Sequence, residues 1–76
     1  MVNIHTTTRA HMIAWLLERG GEIRVGQVRA HGARENGVAV YFVEVDGRTV
    51  IRSASPLAAG FDVAERAGSL PVGDGA

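Results

Sequence analysis

The chain has 76 residues, 46% of them apolar, and its eight cations, all arginine, balance eight Asp and Glu to a formal charge of zero. That length accommodates one domain, and so short a domain leaves a stability margin of roughly 3 to 5 kcal/mol, which makes association with a partner or a second copy an expectation. The absence of cysteine excludes disulfides, a thiolate nucleophile and cysteine-bearing zinc sites, and the zero net charge speaks against binding nucleic acid or anionic membrane through bulk electrostatics.

The opening residues pair no cationic stretch with an apolar one, and no apolar run nears the roughly 20 residues of a membrane span, so the expected compartment is the cytoplasm, with no membrane contact. Residues 1–8 read as a flexible lead-in. Arg9 to Arg19 reads as a helix, with the Thr6-Thr7-Thr8 hydroxyls ready to accept first-turn N–H groups and Gly20-Gly21 as the stop. At about 100° per residue, Ala10, Ile13, Ala14 and Leu17 share one face, which Met12 and Leu16 widen. Trp15 projects elsewhere, at the rim of the polar face near His11, Glu18 and Arg19.

Glu22 to Ala30 reads as a strand whose apolar phase slips by one residue at Gly26-Gln27. A β-bulge there, with Gly26 at positive φ, keeps Ile23, Val25, Val28 and Ala30 on one face; the alternative is that the strand ends near Gly26. His31 to Gly37 is polar and rich in glycine, closes on Asn36-Gly37, and reads as a loop. Val38 to Val45 is the clearest strand of the chain, and Asp46-Gly47 after it is a two-residue hairpin signal that leads into a third strand, Arg48 to Ser53. The register expected from that turn pairs Val45 with Arg48, Val43 with Val50 and Phe42 with Ile51. One face of the hairpin then carries Val38, Val40, Phe42 and Ile51, and the other Ala39, Tyr41, Val43, Val45, Val50 and Arg52.

Ser55-Pro56 reads as an N-cap followed by proline at the first helical position, opening a second helix that runs to about Ala67 with Gly68 as its stop. Gly60 within it marks either close packing or a break. Residues 69–76 lack any apolar period and read as a flexible tail. The predicted fold is therefore α+β: a single two-layer domain over 9–68, ordered helix-strand-strand-strand-helix, with a three-stranded antiparallel meander. If both helices cover the Phe42, Val40 and Ile51 side, the Tyr41, Val43 and Val50 side remains as an exposed patch, and such patches usually meet another protein.

Candidate chemistry is sparse. His5, His11 and His31 are scattered without metal-ligand spacing, and no serine sits in a nucleophile elbow or beside a base. No glycine-rich phosphate cradle is present. No catalytic, cofactor-binding or metal-binding residue is predicted, and a small enzyme, or a subunit of one, is an alternative only. Charge is divided along the chain: residues 1–34 carry five Arg against two Glu, and residues 35–76 three Arg against six acids.

The helix-strand-strand-strand-helix order over residues 9–68 resembles the double-stranded-RNA-binding domain. That resemblance implies a cationic grip on phosphates at the start of the second helix. The matching stretch here, Ser53-Ala54-Ser55-Pro56-Leu57-Ala58-Ala59, holds no cation, and His31-Gly32 lacks the proline that accompanies the loop histidine in that family. A winged-helix reading takes Asp46-Gly47 as a wing tip and needs further helices between Gly21 and Val38. Nucleic-acid binding is thus the alternative. The leading expectation is a small non-catalytic protein-interaction module, self-associating or regulating a larger protein, for instance as an inhibitor of the mobile-element anti-defence type. Its expected contact residues are Trp15, Tyr41 and Arg52, with Val43 and Val50 as the apolar surround.

Overall fold

The computed structural model describes residues 4–69. The chain folds as α1 (Ile4–Glu18), β1 (Glu22–Val25), β2 (Val28–Glu35), β3 (Val38–Val45), β4 (Arg48–Ser53) and α2 (Pro56–Ser69). The strands form one antiparallel sheet in the order β1-β2-β3-β4, with both helices packed together on one side of it. The α+β class and the helix-sheet-helix order agree with the sequence. The sheet has four strands rather than three.

Local chemistry explains the extra strand. All three hairpins turn on two residues, and each turn supplies the positive φ that a tight β-hairpin needs. Asn36 and Gly37 stand at +53° and +79°, and Asp46 and Gly47 at +52° and +80°, the type I′ pattern. Gly26 stands at +58° as the first residue of its pair, the type II′ pattern. The phase slip at Gly26-Gln27 is therefore a chain reversal and not a bulge. Val25 faces Val28 and Ile23 faces Ala30, so the four apolar side chains do share a face, but across a hairpin. The segment expected as a loop, His31 to Glu35, is the continuation of β2 opposite β3.

The helix ends follow their caps. Gly20, at φ +83°, donates to the Leu17 carbonyl at 3.1 Å, and Gly21 to the Leu16 carbonyl at 2.9 Å, the paired bonds of a Schellman stop. The Ser55 hydroxyl accepts the Ala58 N–H at 3.1 Å, capping α2 with Pro56 at its first position. Helix α1 begins at Ile4, so residues 4–8, expected as flexible, form its first turns, and α2 runs through Gly68 to Ser69. Residues 1–3 and most of the expected tail, 70–76, lie outside the described residues.

The larger correction concerns which sheet face is covered. Both helices lie on the Tyr41 side. Val43, Ala30 and Val28 are buried beneath Ala10, Ile13, Leu17, Ala59, Val63 and Ala64, and Tyr41 closes the same core at 7% exposure. Tyr41 and Val43 are core residues, and Phe42 stands on the outer side. Backbone space accounts for this choice. Tyr41 lies directly across from Gly32, and a Cβ at Gly32 would stand 3.1 Å from the Tyr41 ring, so the phenyl fills the place where a side chain is missing. The register of the last hairpin also shifts. Val45 pairs with Arg48 and Glu44 with Thr49 as expected, but Val50 is then skipped, and Val43 pairs with Ile51 and Phe42 with Arg52. The bulge turns Ile51 into the core and Arg52 to the outer face.

Helix contacts are equally tight. Gly60 marks a close approach of α2 to α1: a Cβ there would stand 2.3 Å from the Ala10 carbonyl oxygen and 3.3 Å from the Ala14 nitrogen. Gly60→Ala should therefore lower stability although alanine is the better helix former by about 1 kcal/mol, because overpacking costs about 1 to 3 kcal/mol. Gly68→Ala, with nothing within 4 Å of its Cβ, should leave the melting temperature unchanged or raise it. Thermal melts of the two variants check this; equal or inverted shifts would contradict the close-packed crossing.

Candidate docking surfaces

Two surfaces remain once the core is closed: the outer face of the sheet and the outer side of α1. On the sheet, β2 and β3 set charged side chains beside one another across the strands. Arg29 on β2 donates to Glu22 on β1 at 2.5 Å and to Glu44 on β3 at 3.2 Å. His31 Nε2 donates to the other Glu44 oxygen at 3.0 Å, and its ring stacks on Phe42 at 5.5 Å between centroids. At the far end of the sheet, Arg52 on β4 bonds Glu35 on β2. Glu35 stands beside Val38 and Arg52 beside Phe42, so this pair bridges β3 over Val40, which is 7% exposed although it faces away from the helices.

These contacts set the ionisation of the face. The hydrogen bond from His31, with Arg29 behind it, holds the Glu44 carboxyl below its ordinary value of 4.5. Arg29 does the same to Glu22, and the two carboxylates hold the Arg29 guanidinium further into its charged form. The outer face is in this way largely neutralised by its own side chains. The His31–Glu44 pair is a histidine–carboxylate couple, but it lies on an open sheet, and among the described residues no hydroxyl is hydrogen-bonded to it. It acts as a brace between β2 and β3. Among the described residues no group of three or more His, Cys, Asp or Glu is arranged to hold a metal ion.

The outer side of α1 has a different character. Met12, Trp15 and Leu16 are 63%, 53% and 38% exposed and, with His11, line a shallow concavity of about 370 Å³. Arg19 lies over the Trp15 ring, 3.9 Å from its centroid, and donates to the Trp15 carbonyl at 3.2 Å. His11 donates from Nδ1 to the Thr7 carbonyl at 2.9 Å and meets the edge of Phe61 on α2 at 6.1 Å between centroids. Helix α1 is thus apolar on two sides, one buried under α2 and the sheet, the other in solvent, a pattern that fits a helix covered on both sides.

The predicted contact residues are therefore dispersed. Trp15 is exposed on α1. Arg52 is exposed on the opposite side of the sheet, and Val50 is 43% exposed on the edge strand β4. Tyr41 and Val43 lie inside, and the structure does not bring these five residues together. Met12 and Leu16, assigned from the sequence to the buried face, instead flank Trp15. Their signal was legible as spacing: Met12, Trp15 and Leu16 stand at i, i+3 and i+4, a second helical stripe beyond what one buried face can hold.

No family model, curated protein or solved structure matches this chain. The four-stranded sheet departs from the three-stranded order of the double-stranded-RNA-binding domain. The region a winged helix would need for further helices, Gly21 to Val38, forms two strands and the start of a third. Among the described residues no helix is long and apolar enough to cross a membrane.

Because the folded values of Glu44 and Glu22 lie below their unfolded ones, the stability they contribute is complete above about pH 4.5 and is lost as pH falls further, through the folded values. The melting temperature should decline over that acid range, and Glu44→Gln should flatten the decline. An unchanged acid slope in Glu44→Gln would contradict the brace.

Proposed function

We propose that this protein is a non-catalytic module that docks another protein through the Met12, Trp15 and Leu16 stripe of α1. The observation that carries this reading is the second apolar side of α1, left in solvent by a fold whose core is already complete. Tryptophan and arginine are among the residue types enriched at the energetic centres of interfaces, since they join large contact area to polar reach. The outer sheet face lends less support to a docking or nucleic-acid role, because Glu22, Glu35 and Glu44 already occupy Arg29 and Arg52. A module of this kind works by occupancy. It blocks or positions its partner, with no turnover, cofactor or metal, which is the regulatory or inhibitory role expected from the sequence.

The stripe can be separated from the fold by mutation. In capture experiments with the immobilised chain, Met12→Ser/Trp15→Ser/Leu16→Ser should lose a protein retained by the wild type, with an affinity loss of roughly 30-fold or more. Val50→Ser/Arg52→Ser should retain it. Both variants should melt close to the wild type, since the substituted side chains lie outside the core. Equal recovery by all three chains would contradict the assignment of the docking surface to α1.

A further inference from the structure

The α1 stripe has charge at both ends. On a helical wheel with Met12 at the origin, Trp15 and Leu16 fall about 60° and 40° to either side, Arg19 within about 20°, His5 about 20° and Arg9 about 60° away. Arg9 lies towards the N-terminal end of the stripe and Arg19 one turn beyond its centre. Neither arginine forms an ion pair with a described residue. Glu18 lies about 120° round from Met12, on the margin of the stripe. The surface is thus an apolar centre between two cations.

We infer that its occupant is an amphipathic segment of a partner protein that carries acidic residues beside its apolar face, and not a second copy of this chain. The inference rests on the docking reading above. An antiparallel two-fold pairing of α1 with itself sets Arg9 of one copy towards Arg19 of the other, and a parallel pairing sets each arginine against its own counterpart, so either arrangement brings cations together without an acid between them. Self-pairing through the three apolar side chains also buries on the order of 600 Å² over both copies, below the roughly 1,200 Å² of a stable interface. An acidic helix laid along the stripe meets the opposite electrostatics. Its apolar face covers Met12, Trp15 and Leu16, and its flanking carboxylates reach Arg9 and Arg19. The modest area makes this a weak, salt-sensitive contact of the transient class.

Two capped helical peptides test the inference, both with leucine along one face, one with glutamate and the other with lysine on the flanks. In isothermal titration of the full chain at low salt, the glutamate peptide should bind about tenfold or more tightly than the lysine peptide, and Arg9→Glu/Arg19→Glu should reverse the order. Equal affinity for both peptides, lost in Met12→Ser/Trp15→Ser/Leu16→Ser, would overturn the acidic partner and leave the docking stripe standing. Binding of neither peptide would overturn the inference. So would concentration-dependent dimerisation in sedimentation equilibrium that Trp15→Ser abolishes, or a Trp15 emission shift with anionic lipid vesicles where the glutamate peptide produces none.

Discussion

The close crossing of α1 and α2 at Ala10 and Gly60 shapes the rest of this molecule. Two helices with ordinary side chains at their contact stand well apart and spread over a sheet. Here alanine and glycine let the backbones meet, so the pair forms a narrow upper layer. The inward sides of that layer, Ala10, Ile13, Leu17, Ala59, Val63 and Ala64, suffice to close the core over β2 and β3. Among the described residues, none covers the other side of α1. Its Met12, Trp15 and Leu16 remain in water as a direct consequence of how the core is packed.

The two sides of the sheet manage their exposure differently. The inner side is apolar and buried. The outer side leaves Val38 exposed but screens Val40 and Phe42 with cross-strand pairs, Arg29 between Glu22 and Glu44, His31 on Phe42, and Arg52 reaching Glu35 over Val40. Each such pair at the surface is worth little by itself. Together they give much of the uncovered sheet a polar lid and leave Arg29 and Arg52 engaged. The contrast with α1 is what directs attention to the helix: among the described residues, its apolar stripe has no such cover, and the arginines at its ends are in no ion pair.

Features written in local chemistry were legible in the sequence. Asp46-Gly47, Ser55-Pro56 and Gly20 have backbone preferences that depend on no distant residue, and each occurs where expected. Asn36-Gly37 was equally plain as a turn, but the strand before it was hidden by Gly32, Ala33 and Arg34, which have little strand preference and owe their place to pairing with β3. The covered sheet face was not legible, because β3 is apolar on both sides and Val43 and Phe42 carry comparable weight. The face is settled by contacts between distant residues, Gly32 under Tyr41 and Gly60 against Ala10. A single skipped residue, Val50, moved Arg52 and Ile51 to opposite faces from those the turn alone implied. Of the contact residues read from the sequence, Trp15 is exposed on α1 as expected, because helical angle alone places it off the core. Met12 and Leu16 were assigned inward since hydrophobic character was counted without asking how much face α2 and the sheet had room to cover.

The central claim is that the isolated chain holds the apolar stripe of α1 in water. Trp15 is the single tryptophan of the sequence, so its fluorescence reports on that stripe alone. Collisional quenching by acrylamide, measured on the native chain and on the chain unfolded in denaturant, tests the claim most directly. The account predicts that native Trp15, 53% exposed with Arg19 over one face of its ring, is quenched within about a factor of two of the unfolded chain. A native indole shielded several-fold from acrylamide in a dilute, monomeric sample would show that the stripe is covered within one copy and would contradict it.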